Sequence, residues 1–361
     1  MGQFITKMII LAIDTSCDET AVAITQNTEI VSSTVWSQAL LHSSFGGVMP
    51  SLAQRQHQER IDYVVDKTIK KSRLNIMDID AIAVTVGPGL GIALGVGINK
   101  AREMATKYNK PLIPINHIEA HLLSPFCIPK SKVKSSKTKS FTFPSLGLIL
   151  SGGTTVLSLV KNIGEYQILA STSDDALGEA LDKGARLLGL GYPGGALLEK
   201  FAKLGDSSKY KLPLPLQNDV VKNRFSYSGL KTAFVRLFES KENLDKKDIS
   251  DLAASFQNAA FKHIEAVLEY QIKNLNIKFS SLLFGGGVAN NVEIKKRLRK
   301  ICKKYKIKLE VPYTKSLNGD NAAMIGVCAY LKYKDQTKNE LANNFSDYKS
   351  VDRNPKLKLI D

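Results

Sequence analysis

His117 and His121, in the run Asn116-His117-Ile118-Glu119-Ala120-His121, stand four residues apart in a chain with only five histidines. On a helix, residues four apart share a face, so both imidazoles could reach one metal ion. Two ordinary core or surface histidines would show the same spacing, so the metal reading requires at least one further ligand. Asp320, in Asn318-Gly319-Asp320-Asn321-Ala322-Ala323-Met324, is the candidate. It stands at the amino end of an apolar helical pattern, where a carboxylate is favoured electrostatically and where a plain N-cap would also be found. A zinc protease places its glutamate base directly after the first histidine; here that position is Ile118, and Glu119 is out of register, which counts against proteolysis.

Two glycine loops could hold a phosphate. Ser151-Gly152-Gly153 and Gly285-Gly286-Gly287 each follow a strand-like run and expose backbone N–H groups unobstructed by side chains. A hairpin turn would account for the first equally well. Asn290, three residues past the second, could hydrogen-bond a ribose or a base. Neither loop fits the G-x-x-x-x-G-K-[ST] pattern, which argues against a P-loop ATPase. Asp14, Asp18 and Glu19 cluster in a polar turn, and could position a metal-bound or ribosyl group or simply face solvent.

The elements around these residues alternate between strand and helix. Met8–Ile13, a polar turn and Ala21–Ile24 read as strand, turn, strand; Leu146–Leu150, the Ser-Gly-Gly turn and Val156–Val160 repeat that plan, which suggests an internal duplication. Helices are expected over Val48–Ser72, Ile92–Tyr108, Asp175–Leu188, Leu197–Leu204 and Leu252–Leu275, and again from Ile294, where lysines and arginines surround an apolar stripe. Ala81–Val86 and Leu282–Phe284 read as buried strands. The pattern is that of an α/β protein with its ligand site at the carboxyl edges of the sheets, between the two halves.

At 361 residues the chain exceeds the usual single domain. The expected division is an N-terminal lobe over 8–128 completed by a C-terminal helix at 320–342, a Lys/Ser-rich loop or linker at 129–140, a C-terminal lobe over 141–319 and a poorly ordered tail over 343–361. Four dispersed cysteines without a C-x-x-C pair argue against a disulfide framework and suit a reducing cytosol. No apolar run is long enough for a membrane span, and Met1–Lys7 is too short for a signal peptide. The net charge of +16 fits a polyanionic partner such as RNA, although a lysine-rich composition alone would produce it.

The ordered set of motifs resembles the tRNA N6-adenosine threonylcarbamoyltransferase family, the TsaD-type proteins formerly called glycoproteases or sialoglycoprotein endopeptidases. The resemblance runs from about Met8 to Cys328. It is carried by Ile13-Asp14-Thr15-Ser16-Cys17-Asp18-Glu19-Thr20, His42–Pro50, Asn116–Leu122, Tyr192-Pro193-Gly194-Gly195 and Phe225–Thr232. It implies a two-lobed actin-like ATPase fold of the sugar kinase, Hsp70 and actin kind, built from duplicated ribonuclease H-like domains. It further implies one divalent metal ion on His117, His121 and Asp320, iron first and zinc as the alternative. An adenylate would be held by Ile149, Leu150, Ser151, Gly152, Gly153, Asp182, Gly195 and Asn290. Glu19 or Asp18 is the expected proton acceptor. The implied partners are tRNA, threonylcarbamoyl adenylate and accessory subunits of bacterial type, in the cytoplasm and away from membranes. Thr154 replaces the histidine that usually follows Ser-Gly-Gly in the family, Ala322 replaces a glycine, and the lysine-rich segment falls where members vary in length.

Overall fold

A computed structural model describes residues 7–132, 142–214 and 223–360. Met1–Thr6 and most of the 129–140 segment lie outside the described residues. The chain divides into two compact units: one within Met1–Leu41, Val48–Ser140 and Val311–Asp361, the other within His42–Gly47 and Phe141–Glu310. The first unit therefore takes up the chain again at Val311, nine residues before Asp320.

In the first unit β1 (Ile9–Asp14), β2 (Glu19–Gln26) and β3 (Glu29–Ser37) form an antiparallel meander. After the short helix α1 (Ala39–Ser43), the helix α2 (Pro50–Ser72) leads to β4 (Ala81–Gly87), α3 (Gly91–Tyr108) and β5 (Leu112–Asn116). The helix α4 (His117–Leu123) follows without a break, and β6 (Ile128–Pro129) closes the sheet at β3. The sheet order is β5-β4-β1-β2-β3-β6, with β4 parallel to β1 and β5 parallel to β4. Every residue of β1 is buried, as a central strand covered on both faces requires. Leu11, Ile13, Val22 and Ile24 pack with Val64 and Val65 of α2 and Leu94 and Ile98 of α3. Each such side chain contributes about 1.5–3 kcal/mol relative to exposure.

The second unit repeats the plan. β7 (Ser145–Leu150), β8 (Thr155–Asn162) and β9 (Glu165–Thr172) form the meander. Helices α5 (Leu177–Leu187) and α6 (Gly194–Ala202), the strand β10 (Arg224–Phe225), and helices α7 (Ser228–Glu239) and α8 (Lys246–Asn274) follow. Then come β11 (Ser281–Gly285), α9 (Val292–Lys304) and β12 (Lys308–Glu310), in the order β10-β9-β8-β7-β11-β12. The meander-plus-parallel-strands arrangement is the one in the first unit, so the duplication expected from the two hairpins extends to whole sheets.

The chain returns to the first unit through α10 (Ala322–Tyr333) and α11 (Lys338–Asn344), with α10 packed on β1, β2 and α4. The segment beyond Asn343, expected to be poorly ordered, instead packs on this unit. Val351 is buried, Arg102 Nε donates to the Tyr348 carbonyl at 3.0 Å, Asn354 N donates to the Val86 carbonyl at 2.7 Å, and Asn116 Nδ2 donates to the Lys358 carbonyl at 2.6 Å. These ties use backbone groups, which leave no hydrophobic period in the sequence to reveal them. Cys17, Cys127, Cys302 and Cys328 are free thiols, and no described helix is long and apolar enough to cross a membrane.

Candidate functional site

α4 begins where β5 ends because Asn116 caps it: its side-chain oxygen accepts from Ile118 N at 2.8 Å and Glu119 N at 3.3 Å. Asp320 lies just before α10, whose cap Asn321 accepts from Met324 N at 3.1 Å and donates to the Gly319 carbonyl at 2.8 Å. Two side-chain caps thus fix the starts of the helices that present the three candidate ligands.

Those ligands converge. His121 Nε2 lies 3.0 Å and His117 Nε2 3.4 Å from the same oxygen, Asp320 Oδ1. The two rings meet edge to face, with centroids 4.6 Å apart. Ligand bonds of about 2.1 Å at angles between 90° and tetrahedral place neighbouring donors roughly 3.0–3.4 Å apart; both histidine-to-Asp320 separations match this, and the three donor atoms lie within 4.8 Å of one another. His117, His121 and Asp320 form the one such group of three among the described residues.

The protein groups alone leave this cluster incompletely paired. Asp14 Oδ2, His117 Nδ1 and His121 Nδ1 are buried without a hydrogen-bond partner, and Asp14 Oδ2 faces His117 Nδ1 at 3.6 Å. A cation on His117 Nε2 would fix the proton on Nδ1, so that a donor there faces the Asp14 acceptor. A carboxylate behind a ligating imidazole is the usual support of such a centre. The residues present fit a metal ion.

Titration behaviour follows the same geometry. Burial disfavours the charged form of His117, but Asp14 and Asp320 outweigh it and hold the ring's pKa well above the ordinary histidine value. His121 is held below that value by burial and by the charge on His117, against the pull of Asp320. Burial resists ionisation of Asp320, yet the two imidazoles keep it far below the usual carboxylate range. Burial, with the charges of Asp320 and Asp18, pushes Glu19 up to about 10. Glu19 therefore holds a proton at neutral pH, and its Oε1 also accepts from Ser37 Oγ at 3.1 Å.

The acidic turn carrying Asp14, Asp18 and Glu19 is anchored by a residue that sequence reasoning passed over. His57 of α2, wholly buried, meets Thr20 Oγ1 at 2.8 Å and the Cys17 carbonyl at 3.0 Å. A lone histidine inside a helical pattern gave no signal of that task. Glu119, the residue out of register for a protease, pairs with Lys332 Nζ at 2.7 Å and is buried.

In the second unit Ile149–Gly153 lie at the carboxyl end of β7 and Asn290 in the turn after β11, while Asp182 stands on α5 and Gly195 at the start of α6. Ile149 and Leu150 end β7, and Ile149 pairs with Gly285 of β11. Ser151 N donates to the Thr154 carbonyl at 2.8 Å, and Thr154 N donates to Ser151 Oγ at 3.0 Å. Thr154 therefore helps close the turn. The Gly152 and Gly153 N–H groups have no acceptor among the described residues, and both positions are exposed. The tip is gripped by two glycines. A Cβ at Gly178 would sit 2.5 Å from the Ser151 carbonyl oxygen, and one at Gly286, whose φ is +92°, 2.4 Å from that of Leu150. Only glycine permits either approach.

Asp182 Oδ1 accepts from Gly195 N at 2.7 Å, so these two candidates bond each other across the start of α6. Burial nonetheless raises the Asp182 pKa, against the Gly195 and Gly194 amides. Asn290 ends the short 3-10 turn Gly287–Asn290, against which α5 packs.

Two sheets of one plan, each with its ligand candidates at strand ends, define the duplicated ribonuclease H-like lobes of the actin-like ATPase fold. The solved structure of full-length HypF in its phosphate- and nucleotide-bound form shares that fold: TM-score 0.55 at 11% identity, over 92% of this chain and 47% of that one. The family model for TsaD, tRNA N6-adenosine threonylcarbamoyltransferase, matches residues 29–327. The Persephonella marina protein of that name is 42% identical over 91% of each chain, and the Pelagibacter ubique protein of that name 42% identical over 93% of this chain and 92% of its own. This chain belongs to the tRNA N6-adenosine threonylcarbamoyltransferase family, and it is an acyltransferase.

Proposed function

We propose that this chain takes its threonylcarbamoyl group from threonylcarbamoyl adenylate and passes it to the exocyclic amine of the adenosine beside the anticodon, in tRNAs reading codons that begin with A. AMP is released. The observation that supports this site assignment best is the convergence of His117 and His121 on Asp320 Oδ1, at 3.4 and 3.0 Å, in a chain of this family.

The exocyclic amine of adenine is a poor nucleophile, so the enzyme must position it and make the carbamoyl carbon more electrophilic. A divalent ion held by His117, His121 and Asp320, iron or zinc, would supply Lewis acidity toward an oxygen of the acyl group. With that ion bound, Asp14 would steady the His117 ring from behind. The Gly152 and Gly153 amides are suited to the phosphate, whose bond to the carbamoyl carbon breaks as the nitrogen–carbon bond forms. Asp182 with Gly195, and Asn290, would hold the rest of the adenylate. The amine proton must leave during transfer. Asp18 is the acceptor we favour, with Glu19 as the alternative, because the Asp320 charge that helps raise the Glu19 carboxyl would be offset by a bound cation.

Glu119, tied to Lys332, is not offered as a base, which weighs further against a metalloprotease. We place the enzyme in the cytoplasm with accessory subunits of bacterial type, and tRNA against the basic face of α9 in the second unit and against Lys130 and Lys132 in the first. The test is incubation of the purified chain and its partner subunits with threonylcarbamoyl adenylate and unmodified tRNA. Threonylcarbamoyladenosine in the digested nucleosides, matched mole for mole by AMP, is expected. Hydrolysis to AMP without modified nucleoside would refute the proposal.

A further inference from the structure

Glu119 and Lys332 are 213 residues apart in sequence, yet their 2.7 Å ion pair joins α4 to α10, the same two helices that bring His117 and His121 to Asp320. The side chain of Glu119 is 4% exposed and that of Lys332 24%. Successive residues on a helix turn by about 100°, so Glu119, two positions from each histidine, projects from nearly the opposite face of α4. Asp320 leads into α10, and Lys332 lies about three turns further along it. The short helix α4 is thus held on one face by the carboxylate before α10 and on the other by a lysine near that helix's far end.

The Asn116 cap sets where α4 begins, and the buried Ile118, Ala120, Leu122 and Leu123 pack it in place, but neither supplies a directional bond that sets its roll to within the tolerance of a metal site. Any roll that carries His121 away from Asp320 also moves Glu119 relative to Lys332, so the two pairings constrain each other. We propose that the Glu119–Lys332 ion pair is the positioning element that fixes the roll of α4, and with it the spacing of His117 and His121 from Asp320. This rests on the metal reading above and extends it to residues that touch neither metal nor substrate. The ion pair stands to the histidine helix as outer-shell hydrogen bonds stand to single ligands, by limiting how far the donor set can relax.

The test uses Co2+ titrated into full-length protein stripped of metal, with affinity read by chelator competition and ligand geometry by the visible d–d bands. Wild type is compared with Glu119→Gln/Lys332→Met and with Lys332→Arg, and the unfolding midpoint of each is measured without metal. The double variant leaves no buried charge unpaired, and such neutral replacements commonly preserve stability. It should keep the wild-type midpoint while binding Co2+ about 10–100-fold more weakly, with altered d–d bands, as removal of ligand-supporting groups does. Lys332→Arg, which keeps the charge, should retain the wild-type spectrum. Wild-type affinity and spectrum in the double variant would overturn the proposal, as would an affinity that falls only in step with the midpoint. Undiminished Co2+ binding by His117→Ala/His121→Ala would overturn the underlying metal reading instead.

Discussion

His121 Nε2 stands 3.0 Å from Asp320 Oδ1 across 199 residues of sequence, and the same oxygen lies 3.4 Å from His117 Nε2. A carboxylate approached by two imidazoles completes a three-donor set, so Asp320→Ala should take bound metal from roughly one ion per chain to a small fraction of that. Metal analysis of the purified variant checks this. Full occupancy after loss of Asp320 would mean that the ligands lie elsewhere.

Metal affinity should depend on pH through His117. A ligating imidazole must be neutral, and Asp14 with Asp320 keeps His117 protonated well above the ordinary histidine value despite its burial. Protons therefore compete with the ion through neutral pH, and apparent affinity should still be climbing above pH 7, by up to about tenfold per pH unit. Chelator competition at a series of pH values reads this directly. A flat profile from about pH 6 to 8 would contradict it.

Glu19 gives a stability prediction of definite sign. Its pKa rises from 4.5 unfolded to about 10 folded, so between those values the folded chain binds more protons than the unfolded one. Stability associated with this group is fully present below the unfolded value and declines as pH rises toward about 10. Chelator-treated wild type should therefore lose more thermal stability between about pH 5 and 9 than Glu19→Gln does, by a few degrees. Parallel curves for the two proteins would show that Glu19 carries no such linkage.

On α9, Lys296, Arg299, Lys300 and Lys303 are exposed and make no ion pair among the described residues. Arg297 on the same helix pairs with Glu265 and Glu293, and Lys304 pairs with Glu269. Reversing the four unpaired charges should weaken tRNA binding and flatten its salt dependence by roughly one unit of slope for each phosphate no longer neutralised. An unchanged slope would assign this face to solvent.

The legible parts of the sequence were those carried by period and punctuation. The four-residue histidine spacing, the two hairpin turns and the long helical stripes point to the observed α4, β1–β2, β7–β8, α2, α3 and α8. Element starts were harder to read where polar side chains do the capping. α8 begins at Lys246 rather than near Leu252, because Asp245 and Asp248 cap each other's backbone across a first turn with no apolar stripe. α6 takes in Gly194 and Gly195, which read as a turn, because Asp182 accepts from Gly195 N. Pairings such as Glu119 with Lys332, or the Lys358 carbonyl with Asn116, join groups more than 200 residues apart and follow no local pattern. The packed C-terminal segment belongs to that class.

The most direct test is threonylcarbamoyl transfer by wild type and by His117→Ala/His121→Ala, each with verified partner subunits, threonylcarbamoyl adenylate and unmodified tRNA, and with metal content measured on the same samples. Threonylcarbamoyladenosine is expected from the wild type, with loss of both product and metal in the variant while its fold and tRNA binding persist. Full transfer by the metal-free variant would contradict the metal's role in transfer.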